Sequence, residues 1–157
     1  MKSLAPKDLE KRIIQFLKKQ NMCVLATCGD NVPRATPLEY HSKGIKIYFV
    51  SEPGTKLESM KRNPNVCLGI FFPYNGWDSA KGVQITGKAK IISRENSTEF
   101  KKSVAAHQWK KTAKKLGLKT FPKTGVELAK VEPAKIEFID MSLKRIGFSP
   151  RQTLNVN

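Results

Sequence analysis

The chain has 157 residues, and its 29 Lys and Arg against 13 Asp and Glu give a formal net charge of +16. This length suits one domain with a single hydrophobic core, and no apolar run reaches the roughly 20 residues that a membrane-spanning helix needs. The N-terminal segment becomes charged before an apolar signal-peptide region develops, so we expect a cytoplasmic protein.

The first part of the sequence predicts a helix followed by strands. Apolar residues recur at helical spacing over residues 7–20, which indicates an amphipathic helix that covers one end of a sheet. Residues 22–27, 34–40 and 45–51 have extended patterns separated by turn residues, and we interpret them as an antiparallel three-stranded meander. Two prolines, Pro33 and Pro37, lack ladder donors, so the second strand is predicted at a sheet edge or a bulge.

A short helix is predicted over residues 55–62. Glu52-Pro53-Gly54 ends the third strand, and Thr55 and Glu58 have the spacing of a capping box. A helix N-terminus presents free backbone N–H groups and a partial positive charge, to which Thr55 and Lys56 add a hydroxyl and an ammonium. Arg34 on the neighbouring strand adds a forked donor. These groups suit a phosphate, but a plain helix cap beside an exposed lysine explains the same pattern.

The later elements complete a small barrel. Residues 66–72 form a nearly all-apolar strand that we expect to be buried on both faces, and residues 83–92 form a long strand with a bend at Gly87. Five strands by residue 92 favour a barrel over residues 22–92. A helical region that begins at residue 93 ends at Gly117. The predicted organisation is a single domain with a lysine-rich helical region over 93–123, and a final strand, 135–140, within the last segment, 131–157.

The charged and metal-binding residue types are informative in different ways. Eight lysines and no acidic residue lie between residues 101 and 123, which predicts either a solvated face or an anion-facing surface. The cysteines at 23, 28 and 67 lie in apolar segments, which favours reduced core thiols. The only histidines, His41 and His107, lack the partners of a zinc site, and we predict no bound metal.

Several short motifs occur in a fixed order along the chain. They are Leu25-Ala26-Thr27, Pro33-Arg34-Ala35-Thr36-Pro37-Leu38, Ile47-Tyr48-Phe49, Gly54-Thr55-Lys56, Asn63-Pro64-Asn65-Val66 and Gly82-Val83-Gln84-Ile85-Thr86-Gly87-Lys88-Ala89. This order resembles the pyridoxamine 5′-phosphate oxidase-like family of FMN-binding split barrels, over residues 9–92 and more weakly over 131–140. The resemblance implies a six-stranded antiparallel split barrel, a homodimer, and FMN at the subunit interface.

The resemblance also implies which residues hold the cofactor. The phosphate would be held by Arg34, Thr55 and Lys56. The ribityl chain and ring would be lined by Thr36, Pro37, Leu38, Val50 and Ser51. Gly82 and Gln84 would approach the ring edge, and Trp77 would either cover the flavin from a loop or serve as a buried or interface aromatic. No catalytic acid or base is assigned.

Two departures argue against oxidation of vitamin B6 itself. Glu39 stands where true pyridoxamine phosphate oxidases have a lysine, and their C-terminal tryptophan-and-arginine signature is missing. The sequence therefore favours an FMN-dependent oxidoreductase with an unassigned substrate and a small-molecule or nicotinamide electron donor. Three alternatives remain open: a non-catalytic FMN or electron-transfer protein, a reductase that uses the deazaflavin coenzyme, and a basic nucleic-acid-binding protein without a recognisable reading motif. Haem-binding relatives use a late histidine, and none follows His107.

Overall fold

The computed structural model describes residues 1–156, and its strands belong to one antiparallel sheet that forms the predicted split barrel with flanking helices. The helices are α1 (Pro6–Lys19), α2 (Thr55–Arg62), α3 (Ser97–Ala106) and α4 (Trp109–Lys115). The strands are β1 (Met22–Gly29), β2 (Val32–Glu39), β3 (His41–Lys43), β4 (Lys46–Ser51), β5 (Asn65–Phe71), β6 (Lys81–Ile91), β7 (Glu127–Asp140) and β8 (Arg151–Asn155). The sheet order is β2-β1-β5-β6-β7-β4-β3, and β8 pairs with β7.

The N-terminal amphipathic helix forms as the sequence predicts, and it packs against the inner face of the sheet. Its apolar stripe of Leu9, Ile13, Phe16 and Leu17 is buried, because residues at this spacing share one side of a helix. The Phe16 ring lies 5.9 Å from that of Phe138 on β7. The α1 stripe and the inward-facing strand residues therefore form one continuous core.

The hairpin of β1 and β2 is confirmed, and its turn explains its register. Asp30 and Asn31 form a two-residue connection, and both have positive φ values, 54° and 59°. Two left-handed residues match the twist of a tight hairpin, and Asp and Asn tolerate this conformation better than most residues. β2 lies at the edge of the sheet, which confirms the position predicted from Pro33 and Pro37.

The predicted meander is wrong at its third strand. β4 does not continue the hairpin but pairs with β3 and with β7, so that Phe49 lies opposite Ala129. The two prolines remove donors from β2, and the chain leaves this strand through the short β3 to reach the other end of the sheet. The edge strand β2 and the strand β4 thus approach each other across the opening of the barrel.

The sheet has eight strands rather than six. The sequence patterns did not predict β3, which has three residues, or β8, which lies in the last segment. Residue 157 of that segment lies outside the described residues. β7 begins at residue 127 rather than 135 and includes Pro133 next to a register shift. This shift lies beside Gly87, where a Cβ atom would clash with the carbonyl oxygen of Glu132. The bend predicted at Gly87 is therefore confirmed.

One face of the sheet is not covered within the chain. β5 is buried on its inner side only, and Phe71 on its other side is 66% exposed, so the prediction of burial on both faces is wrong for the single chain. The strand registers place small or apolar residues, together with Gln84, on the same side of four neighbouring strands. We call this surface the outer face; it comprises Val24, Ala26, Cys28, Pro33, Ala35, Pro37, Cys67, Gly69, Phe71, Gly82 and Gln84.

The cysteines follow this division of the sheet. Cys23 is buried in the core, and burial raises the pKa of its thiol to about 12, so the thiol stays protonated and unreactive. Cys28 and Cys67 are half-buried on the outer face. The prediction of core thiols is correct for Cys23 and wrong for the other two, because alternating residues of an apolar strand point to opposite faces.

The predicted helical region consists of two helices, α3 and α4, interrupted at Gln108. Gln108 has a left-handed backbone with φ of 57°. The region ends at Gly117, as predicted, and this glycine has φ of 67°, a conformation that favours glycine after a helix. Within the described residues, no helix is long and apolar enough to cross a membrane.

Candidate functional site

The start of α2 is the proposed phosphate end of the site. Gly54, not Thr55, is the N-cap residue, and the Thr55 side chain makes no capping hydrogen bond. The carbonyl of Gly54 accepts from the backbone N–H groups of Leu57 and Glu58 at 3.0 and 3.1 Å. Its φ of 157° and ψ of −173° lie in a region used almost only by glycine. The predicted capping box is therefore wrong.

This correction changes what the neighbouring side chains can do. Glu58, the second member of the expected box, instead accepts from Lys61 Nζ at 2.9 Å, and this hydrogen bond lowers the pKa of Glu58. Thr55 is exposed and Lys56 is half-buried, and neither forms an ion pair within the described residues. The Thr55 hydroxyl and the Lys56 ammonium are thus available to an anion at the helix N-terminus.

The edge strand β2 presents its predicted residues on both faces. Arg34, Thr36 and Leu38 lie opposite buried residues of β1 and therefore share the inner face. Pro37 lies on the outer face, so only its backbone can join them. Arg34 is nevertheless exposed because β2 is an edge strand. Its register partner Thr27 is 3% exposed and has an Oγ1 atom without a hydrogen-bond partner among the described residues.

The end of β4 connects these two regions. Val50 is half-buried and Ser51 is buried, and the Ser51 hydroxyl donates to the carbonyl of Glu52 at 2.8 Å. Three residues separate Ser51, the last residue of β4, from the start of α2. β4 also approaches β2 across the open side of the barrel. β4 therefore contacts β2 on one side and leads along the chain to the start of α2.

Gly82 and Gln84 occupy a different surface. They line a cleft of about 350 Å³ on the outer face, between β5 and β8. Gly69 lies opposite Gln84, and Phe71 lies opposite Gly82. A Cβ atom at Gly82 would approach the carbonyl oxygen of Ile70 to 2.9 Å, whereas one at Gly69 would project into open space. The two glycines therefore leave a floor of bare backbone that a planar group can approach closely.

The two groups of predicted residues cannot meet within one chain. Arg34 faces the inner side of the sheet, and Gln84 faces the outer side. Their strands, β2 and β6, are also three positions apart in the sheet, which is about 14 Å at the usual strand spacing. The predicted site residues of one chain therefore form two separate surfaces.

Trp77 lies in the predicted loop between β5 and β6, within a short 3₁₀ turn. Its side chain is 61% exposed. Lys81 just after this loop is held by Asp140, whose Oδ2 lies 2.7 Å from the ammonium. Burial would raise the pKa of Asp140, but hydrogen bonds from Lys81 and Ser142 outweigh it and lower the pKa. This ion pair fixes the beginning of β6, where Gly82 lies.

Two residues at these surfaces were missed by the sequence analysis. Arg151 lines the outer-face cleft from β8, and Thr27 supplies the unpartnered hydroxyl beside Arg34. Burial alternates along residues 151–155, but Leu154 is the only apolar residue among them, so the sequence lacks the apolar alternation that would have predicted β8 and the position of Arg151. Nothing in the sequence singles out Thr27, because its position beside Arg34 depends on the register between β1 and β2.

The family of the chain follows from comparison with known proteins. A family model described as pyridoxamine 5′-phosphate oxidase matches residues 9–140. The chain belongs to this family. The match spans most of the chain, from within α1 to the end of β7, and confirms the resemblance found in the sequence motifs. An uncharacterized protein of Rhizobium meliloti is 31% identical to this family member over 93 residues. That match covers 58% of each protein, so the chain spans little more than half the length of this curated relative.

Solved structures show the same fold for this member of the pyridoxamine 5′-phosphate oxidase family. A haem-binding protein of Mycobacterium smegmatis has a TM-score of 0.69 at 15% identity, with 99% of this chain and 60% of the other covered. An FAD-binding protein of Mesorhizobium loti has a TM-score of 0.62 at 18% identity, with 80% and 90% covered. At these identities the similarity is one of fold, and the neighbours differ in the group they bind.

Proposed function

We propose that two copies of the chain bind FMN between them and that the complex acts as an oxidoreductase. The observation that supports this most directly is the distribution of the predicted site residues. The phosphate-binding set would come from β2 and α2 of one copy, and the glycine floor beside Gln84 would come from the outer face of the other. A homodimer would also cover the apolar outer face, which one chain leaves exposed.

The residues present fit an FMN molecule. Arg34 and Lys56 supply two cations, Thr55 a hydroxyl and the start of α2 free N–H groups, which together suit a phosphate dianion. The unpartnered hydroxyl of Thr27 is a buried polar atom of the kind that a bound polar group satisfies. The flat floor at Gly69 and Gly82 suits an aromatic ring system, which a side chain at either position would obstruct.

Bound FMN supplies hydride and electron transfer, and the chain's residues bind and orient it. Arg34, Thr55 and Lys56 would hold the phosphate end of FMN. Gln84 carries an amide that can donate a hydrogen bond to the edge of the flavin ring or accept one from it. Glu39, in place of the lysine of true pyridoxamine phosphate oxidases, is exposed at the end of β2. Its negative charge would repel a phosphorylated substrate there, so the proposed substrate is not a phosphorylated vitamin B6 compound.

Reconstitution with FMN followed by reduction tests the proposal. We expect the protein to bind FMN and the visible absorbance of the bound flavin to be bleached by NADH or NADPH. We expect one particular acceptor to reoxidise the reduced flavin fastest. Bleaching without such a preference would support the carrier alternative over an enzyme. Mass spectrometry of the cofactor extracted from the purified protein is the second measurement: a deazaflavin coenzyme or haem in place of FMN would contradict the proposal.

A further inference from the structure

A second cleft lies between α3 and α4, away from all the residues assigned to FMN. Its volume is about 480 Å³, within the range of small-molecule sites. Its walls are apolar and largely aromatic, and its rim is basic. The walls are Phe100, Val104, Trp109 and Phe121, and the rim includes Lys101, Lys110 and Lys111.

The aromatic walls are held in fixed positions. The Phe121 ring lies 4.7 Å from that of Trp109 and 5.4 Å from that of Phe100, the latter edge-on at 89°. Arg94 stacks behind them, with its guanidinium carbon 5.1 and 5.2 Å from the two phenyl rings. The same guanidinium donates to the carbonyl of Val126 at 2.8 Å. Cation–π contacts and edge-to-face packing therefore preorganise the walls.

The backbone at the cleft carries a strained residue. Gln108 separates the two helices with a left-handed conformation, which is uncommon for residues other than glycine, asparagine and aspartate. It lies on the cleft and directs the chain so that Trp109, 6% exposed, closes one wall. The Trp109 Nε1 atom is buried and has no hydrogen-bond partner among the described residues. Strain of this kind is often found at binding sites.

The charge of the surrounding surface is unbalanced. All eight lysines between residues 101 and 123 are exposed, and none of them forms an ion pair within residues 1–156. On α4, Lys110 and Lys111 repel Lys114 and Lys115 one turn later. A ligand that brings negative charge to the rim would relieve this repulsion, whereas a neutral ligand would not.

We propose that this cleft binds a small organic anion with an aromatic body. The aromatic part packs against the wall formed by Phe100, Trp109 and Phe121, and the acidic group meets the lysines of the rim. The volume limits the ligand to one the size of a few fused or linked rings. This site is independent of the proposed FMN site, since the two share no residue.

Two matched fluorescent probes test the proposal in the full-length protein. The first is 1-anilinonaphthalene-8-sulfonate, and the second is N-phenyl-1-naphthylamine, which has the same aromatic body without the sulfonate. The chain has two tryptophans, so Trp77→Phe leaves Trp109 as the only donor for energy transfer to either probe. We expect both probes to bind, and the sulfonate to bind more tightly.

Substitutions at the rim separate the charge from the apolar walls. Changing Lys101, Lys110 and Lys111 together to glutamine should weaken binding of the sulfonate roughly tenfold and leave the neutral probe unchanged. The matched control changes three exposed lysines of α1, Lys7, Lys11 and Lys18, which alters the net charge equally. The control should leave the affinity for both probes as in the wild type. Equal weakening by both triple variants would mean that only the overall charge matters, and would overturn the proposal.

A filled cleft provides the second variant. Ala105 is exposed on α3 and lines the cleft, so Ala105→Phe should abolish energy transfer to both probes without disturbing the core. Ala134→Phe, at an exposed alanine of β7, is the control and should leave binding intact. Circular dichroism checks the fold of each variant. Undiminished binding to a folded Ala105→Phe variant would show that the probes bind elsewhere, and the proposal would be wrong.

Discussion

Replacing Lys56 by alanine tests the phosphate end of the proposed flavin site. Lys56 is the second residue of α2, is half-buried and forms no ion pair within the described residues, so its removal breaks no contact that holds the helix. Loss of a charge-assisted contact to a phosphate costs about 1.5–3 kcal/mol, which corresponds to roughly ten- to a hundredfold weaker FMN binding. Thr55→Ala is a clean second probe, because Gly54 rather than Thr55 caps the helix.

Quenching of flavin fluorescence in parallel titrations with FMN and riboflavin measures this effect. Riboflavin lacks the phosphate, so its affinity should be the same for the wild type and for Lys56→Ala. Lys61→Ala is the matched control on the same helix. Lys61 Nζ lies 2.9 Å from Glu58 at the C-terminal half of α2, so FMN binding should not change. Undiminished FMN affinity in Lys56→Ala, or equal losses for FMN and riboflavin, would refute the placement of the phosphate.

Three further perturbations have defined outcomes. Burial, and to a lesser extent repulsion by His41, lowers the pKa of His107 to about 4, whereas the unfolded chain binds this proton near pH 6.5. The free energy of unfolding, measured in urea titrations, should therefore fall by about 2 kcal/mol between pH 6.5 and 5. His107→Leu should make this pH dependence weaker. An equally steep decline in that variant would show that His107 is not the group responsible. Gly87→Ala should lower the free energy of unfolding by about 1–3 kcal/mol, because the new Cβ meets the Glu132 carbonyl, and an unchanged urea midpoint would show that the bulge relaxes. Ala26→Asp places a charge on the exposed outer face and should shift sedimentation to the monomer with circular dichroism unchanged; a persistent dimer would exclude this face as the interface.

Local sequence patterns predicted the helices, turns and strands better than they predicted which strands pair with each other. The helical spacing of α1, the tight turn at Asp30 and Asn31, and the bend at Gly87 each depend on residues close in sequence. The pairing of β4 with β7 joins segments about 80 residues apart, and a period of two residues indicates which side of a strand is buried but not which strand lies beside it. The nearly all-apolar sequence of β5 correctly predicted a strand, but the apolar residues on one of its sides face away from the core.

The candidate site shows the same limit. The sequence located the start of α2 and its cation, since Gly54, Thr55 and Lys56 are consecutive. It assigned the cap to Thr55 because a threonine hydroxyl is a common cap, whereas the backbone dihedral angles of Gly54 decide the matter. That Arg34 and Gln84 face opposite sides of the sheet depends on the registers of β2 and β6. Only the structure therefore separates the site residues into two sets on opposite faces of the sheet.

Sedimentation velocity of the FMN-loaded protein, recorded at the visible absorption band of the flavin, tests the central proposal most directly. We predict that the flavin sediments with a species of twice the 17.7 kDa chain mass, with one FMN per chain because a twofold dimer has two equivalent sites. Dilution that dissociates the dimer should release the flavin at the same concentration. Flavin that remains bound to a monomer would contradict a site shared between two copies.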